Sequence, residues 1–205
     1  MTSRVIGIAG PPGSGKTTLA HALVSALGDA VLVEMDHYQR MTDLPPVQIR
    51  DWVERGADHD ELPLPLLADH LQSLKQGRAV VNPLTADVIH PARFIVLETH
   101  FGRAHRTTGP LIDVLLWLDT PADVALARNL RAFIASWTTP AQPRSDQSEA
   151  LDWLDGYLDN YLSLVEPLLR MQRDRVRCGA DRVIDPGCNV EPLAAWLLSD
   201  SFHPG

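Results

Sequence analysis

The chain contains little cysteine, little positive charge and no long apolar run. Its two cysteines, Cys178 and Cys188, form no C-x-x-C pair, so they do not suffice for a zinc site, and two reduced thiols are favoured over a disulfide. Lysine and arginine number 18 against 26 aspartates and glutamates, a net charge of −8, which argues against a nucleic acid as the main partner. Because no apolar stretch is long enough to cross a membrane, we expect a cytoplasmic protein with no membrane partner.

The sequence does contain short apolar runs that alternate with helical patterns. Hydrophobic residues make up 45% of the 205 positions, enough for the core of one domain spanning residues 1–205. Short β-branched runs predict buried strands, and apolar residues at helical spacing predict helices between them. This alternation indicates an α/β fold, a three-layer α/β/α sandwich around a mainly parallel sheet. The predicted strands are residues 4–9, 30–35, 94–98, 112–119 and 182–185.

Three proline-bearing segments interrupt or modify this pattern. Residues 41–62 are polar and contain Pro45 and Pro46, so we expect a surface loop there. Residues 136–148 are polar, and we expect them to form a small flexible lid. A long amphipathic helix should follow this lid, with a kink at Pro167.

The segment "GPPGSGKTT", residues 10–18, fits the pattern G-x-x-x-x-G-K-[ST]. Glycines let successive backbone N–H groups curl around a polyphosphate, and the following helix adds the positive end of its dipole. Lys16 should reach the β- and γ-phosphates as a catalytic residue, and the Thr17 hydroxyl should ligate magnesium. A plain glycine-rich turn is disfavoured because the segment lies between a predicted strand and a predicted helix. The predicted nucleotide-binding residues are Gly10, Pro12, Gly13, Ser14, Gly15, Lys16, Thr17 and Thr18.

This loop predicts a nucleoside triphosphate, with ATP and Mg2+ as the expected cofactors, but it does not name the reaction. The chain has no N-K-x-D guanine reader, and the run "FIVLETH" ends in a single Glu98 rather than in the D-E pair of mechanical ATPases. A small phosphotransferase is the favoured interpretation. The rival is a regulatory protein that binds nucleotide without transferring phosphate. Without nucleotide, we expect the Lys16 ammonium to be solvated.

A carboxylate, Asp36, follows the second predicted strand in "AVLVEMDHY". The carboxyl ends of strands in an open α/β sheet are where ligands bind, so Asp36 is a candidate for chemistry beside the phosphates. The alternative is that it caps a turn. A carboxylate there is a reason to favour catalysis over mere nucleotide binding.

Further motifs occur in a fixed order along most of the chain. With these motifs the chain resembles the uridine kinase and phosphoribulokinase-like branch of small P-loop kinases. The motifs are "DHY" with Asp36 and Tyr38, "DHDELPLPLLADHLQSLKQG" with Asp58, His59 and His70, Pro83 followed seven residues later by His90, the strand ending in Glu98, "VEPLLRMQ", and "DPGCN" with Pro186 and Gly187.

This resemblance implies an ATP- and Mg2+-dependent kinase that phosphorylates a hydroxyl of a small metabolite. In the branch, the Asp after the second strand is proposed as general base, which here is Asp36, and Glu98 should lie near the magnesium. Arg128, Pro186 and Gly187 are then expected to bind nucleotide. His100 and His105 are interpreted as ordinary loop histidines. On the substrate side, the resemblance favours Tyr38, Asp58, His59, His90, Arg93 and Arg131.

The chain departs from the family where uridine kinases carry P-x-Y-D. Here the segment is "PLTAD", with Thr85 and Ala86 at the Tyr and Asp positions. Loss of an aromatic ring and of a hydrogen-bond acceptor predicts poor uridine and cytidine phosphorylation. A nucleoside-like or sugar-bearing compound remains the leading acceptor class, and pantothenate, a sugar or a sugar acid is the alternative. A homo-oligomer is left open.

Overall fold

A computed structural model describes residues 3–39, 46–137 and 147–199. Its main sheet has five strands in the order β2-β5-β1-β6-β7, and every neighbouring pair is parallel. The carboxyl ends of these strands therefore lie at one edge of the sheet. The main strands are β1 (Arg4–Ala9), β2 (Ala30–Glu34), β5 (Phe94–Glu98), β6 (Val114–Leu118) and β7 (Arg182–Ile184); β3 (Val80–Val81) and β4 (Val88–Ile89) form a separate antiparallel hairpin.

Helices cover both faces of the sheet, which confirms the predicted three-layer α/β/α fold. Successive residues of a strand point to opposite faces: Val5 packs in a core with leucines of α3, whereas Ile6 packs in a second core with residues of α1 and α7. Fully buried leucines such as Leu71 and Leu116 each stabilise the fold by roughly 1.5–3 kcal/mol. The helices are α1 (Lys16–Leu27), α2 (Pro46–Glu54), α3 (Pro65–Lys75), α4 (Ala122–Trp137), α5 (Gln147–Asn160), α6 (Glu166–Val176) and α7 (Val190–Leu198).

The surface loop predicted over residues 41–62 is wrong over residues 46–54, which form α2. Residues 41–45 of this predicted loop lie outside the described residues. A proline is tolerated at the start of a helix, where its missing N–H has no partner to lose. Trp52 is buried, and its indole N–H donates to the Asp58 carbonyl at 2.9 Å. Trp52 is thus the buried anchor of α2, with Ile49 and Val53 partly buried beside it in the sequence.

The long helix after the predicted lid is interrupted by a π-helical turn, Tyr161–Val165, between α5 and α6. In an α-helix, Pro167 would have no N–H for the Ser163 carbonyl, and its ring would collide with that carbonyl. The π turn accommodates the proline: the Glu166 N–H bonds the Tyr161 carbonyl, five residues back. The predicted distortion therefore occurs, but ahead of Pro167. The central lid residues 138–146 lie outside the described residues.

In the part of the chain described here, no helix is both long enough and apolar enough to span a membrane. A cytoplasmic location and a single domain over residues 1–205 stay predictions.

Asp113 connects three elements at the amino-terminal edge of the sheet. Its carboxylate accepts the Val5 N–H at 2.7 Å, at the start of β1, and the Lys75 ammonium at 2.8 Å, at the end of α3. Because Asp113 itself directly precedes β6, one side chain fixes two strands and a helix relative to each other.

We expect Asp113→Asn to lower the free energy of unfolding by about 1–3 kcal/mol, since the charged acceptor of two hydrogen bonds is lost. Urea denaturation measures this difference. Asp69→Asn, an exposed carboxylate on α3, is the matched control and should change stability little. Equal stability of the two variants would show that the Asp113 junction contributes nothing.

Candidate active site

The phosphate loop leads from β1 into α1 in a conformation that requires glycine. Gly13 has φ +76°, and a Cβ there would lie 2.5 Å from the Ala125 carbonyl oxygen. The Ser14 carbonyl accepts hydrogen bonds from the Thr120 hydroxyl and from the Arg128 guanidinium, both at 3.0 Å. Residues at the carboxyl end of β6 and on α4 thus hold the loop in its curled form. Arg128 lies against the phosphate loop, where the sequence analysis expects it.

Lys16 is buried, with 5% of its surface exposed. Its ammonium donates to the Pro11 carbonyl at 3.2 Å and lies 4.0 Å from a Glu98 oxygen. Burial lowers the pKa of Lys16, while the charges of Glu98 and Asp36 act in the opposite direction. The expectation that this ammonium is solvated is therefore wrong, because the loop folds its own carbonyl onto the lysine.

Thr17 and Glu98 form the predicted magnesium position. The Thr17 hydroxyl donates to Glu98 Oε2 at 2.9 Å and lies 3.2 Å from Oε1. Among the described residues, no group of three or more histidine, cysteine or acidic side chains could hold a metal by itself. Magnesium in phosphotransferases commonly uses one or two protein ligands together with phosphate oxygens and water. The hydroxyl–carboxylate pair fits such a site.

Asp36 and His100 are brought together by the pairing of β2 with β5. Glu34 lies opposite Glu98 in this parallel register, so the residues two positions further on also meet. His100 Nε2 is 2.9 Å from Asp36 Oδ1, and the Gln39 amide donates to the same oxygen at 3.2 Å. The hydrogen bond with His100 is the main cause that lowers the pKa of Asp36, against the opposing effect of burial. The carboxylate therefore stays ionised near neutral pH.

His100 is itself held by contacts on both sides of the site. The Thr99 hydroxyl accepts the backbone N–H groups of Phe101 and Gly102, both at 3.2 Å. From α6, the Gln172 side-chain amide donates to the His100 carbonyl at 2.6 Å. The sequence pattern indicates only a loop histidine at position 100 and does not reveal this arrangement. Pairing of β2 with β5 in this register is the signal that reveals it.

A cleft of about 430 Å3 opens beside Asp36. It lies between the carboxyl edge of the sheet, α2 and α6, and its wall is largely apolar. A pocket of this size matches a small-molecule site. The residues around it are Pro12, Asp36, Gln39, Trp52, His59, His100, Phe101, Leu168, Leu169 and Gln172.

Of the predicted substrate residues, His59 lines this cleft. Its ring stacks on Phe101 with 4.7 Å between centroids and 22° between planes. Burial, assisted by the charge of Arg175, lowers the pKa of His59 to about 4, so the imidazole is neutral near pH 7. Tyr38 lies beside the site, half-buried, with its hydroxyl 3.1 Å from His70 Nδ1. The Asp58 side chain instead accepts the Asp60 N–H and caps its own turn.

No described contact brings Arg93 together with Asp36, and its substrate role stays a prediction. This residue directly precedes β5, at the amino-terminal edge of a parallel sheet whose opposite edge carries the phosphate loop. Its guanidinium lies over the Phe94 ring at 5.2 Å, and its N–H bonds Asp29. The strand predicted over residues 94–98 already implies this position, since Arg93 directly precedes it.

No described contact links the remaining predicted residues to Asp36. His90 is exposed after β4, and Arg131 is exposed on α4, one turn beyond Arg128. Pro186 and Gly187 follow β7 at the carboxyl edge of the sheet, the edge that also holds the phosphate loop. Thr18 is exposed in the first turn of α1.

The parallel sheet, the glycine-dependent phosphate loop and the adjoining cleft define a P-loop kinase. The family model described as Phosphoribulokinase / Uridine kinase family matches residues 5–134, and the chain belongs to this family. It is therefore an ATP-dependent phosphotransferase that acts on a hydroxyl group of a small molecule. The alternative of a nucleotide-binding protein without phosphate transfer is set aside.

Curated relatives extend the likeness beyond the family region. A uridine kinase of Halobacterium salinarum is 29% identical over 213 residues, covering 98% of this chain and 87% of that protein. A uridine kinase of Staphylococcus aureus is 28% identical over 196 residues, covering 89% and 87%. The predicted resemblance to the uridine kinase and phosphoribulokinase-like branch is confirmed.

Solved structures support the fold. A proposed fructose transport system kinase from Silicibacter sp. TM1040 matches with a TM-score of 0.56 at 18% identity, over 89% of this chain and 90% of that chain. The protein YGR205w matches with a TM-score of 0.54 at 15% identity, over 90% and 86%. At these identities the likeness concerns the arrangement of helices and strands alone.

We expect Lys16→Met to reduce phosphate transfer by about 100-fold or more, since the positive charge at the β- and γ-phosphates is lost. Because the wild-type ammonium is buried, the melting temperature should stay the same or rise. Calorimetry and an ADP-release assay measure the two effects. Near wild-type turnover in the variant would contradict the role of the loop.

We expect His100→Ala to lower kcat about tenfold with little change in KM for ATP, since Asp36 loses the partner that orients one of its oxygens. His100→Gln retains a hydrogen-bond donor and should recover part of this loss. His21→Ala, an exposed histidine on α1, is the control for histidine removal. Equal kcat in all three variants would show that Asp36 needs no orienting partner.

Proposed function

We propose that this protein transfers the γ-phosphate of ATP, with Mg2+, to a hydroxyl of a small metabolite, and that Asp36 is the general base. One observation supports this above all: the Asp36 carboxylate lines the cleft and also interacts electrostatically with Lys16 of the phosphate loop. An alcohol in the cleft would thus lie between the base and the transferred phosphate.

The chain supplies positioning and charge for such a reaction. Lys16 would neutralise charge on the β- and γ-phosphates, and Thr17 with Glu98 would hold the magnesium. That ion, when bound, supplies positive charge to the phosphate oxygens. Arg128, which bonds the Ser14 carbonyl, would approach the nucleotide from α4.

Asp36 does not need a raised pKa for its role. His100 and Gln39 bond to Oδ1, so the second oxygen, Oδ2, can accept the hydrogen bond of the acceptor hydroxyl. A carboxylate in this position orients the alcohol in line and takes its proton late, as the bond to phosphorus forms. An ionised Asp36 is the state that this step requires.

Two classes of acceptor are candidates. The relatives named uridine kinase favour a nucleoside-like or sugar-bearing acceptor. Thr85 and Ala86 argue against uridine itself. Both are exposed at the tip of the β3–β4 hairpin, at the positions where uridine kinases carry Tyr and Asp. This departure favours the alternative, a non-nucleoside alcohol.

We expect Asp36→Asn to lower kcat by about 100-fold or more while ATP binding changes little, since the variant keeps the shape of the side chain but loses its basicity. Steady-state transfer with an accepted alcohol and calorimetric ATP titration measure the two quantities. Asp155→Asn, an exposed carboxylate on α5, is the matched control. Unchanged kcat, with chemistry rate-limiting, would leave Asp36 as a structural turn residue.

A further inference from the structure

We propose that the acceptor is an uncharged alcohol whose remaining surface is mainly apolar. This inference rests on the proposed function, because it assigns the cleft beside Asp36 to the acceptor. The cleft volume of about 430 Å3 accommodates a body of one or two rings beyond the hydroxyl.

The side chains that line the cleft disfavour an anionic occupant. Among the described residues that line it, Asp36 is the one acidic side chain, and there is no lysine or arginine. His59 is buried and neutral near pH 7, since burial holds its pKa at about 4. No side chain in this lining would pair with a carboxylate or phosphate on the acceptor, so burying such a group against it is costly.

Three polar groups of the cleft wall already have partners within the protein. The Trp52 indole N–H bonds the Asp58 carbonyl, and the Gln172 amide nitrogen bonds the His100 carbonyl. His100 Nε2 is engaged with Asp36. A polyol or the edge of a nucleobase would therefore leave several of its own polar groups unpaired.

Apolar side chains provide most of the surface of the cleft that is available for binding. The lining includes Trp52 and Phe101, which are buried, and Leu168 and Leu169 of α6, which are partly exposed. An apolar body placed against these side chains loses contact with water, at a gain of roughly 25 cal/mol per Å2 of apolar surface. Affinity should thus follow apolar area, and the hydroxyl should set orientation toward Asp36.

Four probes test the charge and polarity of the acceptor separately. They are naphthalenemethanol, the same alcohol with a carboxylate on the far ring, the same alcohol with an aminomethyl group there, and uridine. With ATP and Mg2+, we expect kcat/KM for the neutral naphthalenemethanol to exceed that of each other probe at least about tenfold. Phosphorylated product is measured directly, so that ATP hydrolysis is not mistaken for transfer.

A cation introduced into the cleft should reverse the preference. Leu168→Lys is expected to raise kcat/KM for the carboxylate probe relative to the neutral probe by about tenfold. Leu162→Lys introduces the same side chain at an exposed position of the π turn, outside the cleft lining, and should leave the ratio unchanged. Equal effects of the two variants would overturn the assignment of the cleft.

A binding measurement made without phosphate transfer tests this inference separately from the proposed function. Ligand-observed NMR with wild-type protein, Mg2+ and a non-hydrolysable ATP analogue should detect the neutral probe more readily than the charged probes. Efficient transfer to the carboxylate, the amine or uridine would overturn the inference and leave the kinase assignment intact. Selective binding of the neutral probe without transfer to any probe would support the inference and contradict the proposed function.

Discussion

The parallel, in-register pairing of β2 with β5 determines where the chemistry of this protein lies. Because Glu34 is opposite Glu98, the turn after β2 and the turn after β5 leave the sheet side by side. Asp36 and His100 meet for this reason, and Glu98 is left facing Thr17 of the neighbouring phosphate loop. A shift of one residue in this register would send these side chains to opposite faces of the sheet.

The phosphate loop engages its ammonium and hydroxyl groups in contacts within the protein. The Lys16 ammonium bonds a loop carbonyl, and the Thr17 hydroxyl bonds the Glu98 carboxylate. Nucleotide and magnesium would exchange these internal contacts for stronger charged ones. The net gain on binding is then smaller than the sum of the new contacts, since the internal contacts are lost.

Local patterns in the sequence predicted the sheet, the phosphate loop and the candidate base. Their signals are short: a β-branched run, a glycine spacing and a carboxylate at a strand end. The helix α2 was missed although Ile49, Trp52 and Val53 have helical spacing, because the prolines Pro45 and Pro46 favoured a loop. Most of the cleft wall escaped prediction because it forms only in the folded chain. Leu168 and Leu169 have the spacing of ordinary core residues in an amphipathic helix, and only the tertiary arrangement places them beside Asp36.

Because of the π turn before Pro167, the side chains that α6 presents to the cleft depend on the number of residues in the preceding helical stretch as well as on their identity. A π turn contains one residue more than the α-helical turn it replaces, and each residue of an α-helix advances the side chains by about 100°. The extra residue therefore sets the angular phase of α6 relative to α5, and with it the direction of Leu168, Leu169 and Gln172. A homologue that lacks one residue in this stretch would keep nearly the same helix length but present a different face of α6 to its substrate. Comparison of acceptor preference across the family should therefore consider insertions and deletions in this helix together with substitutions.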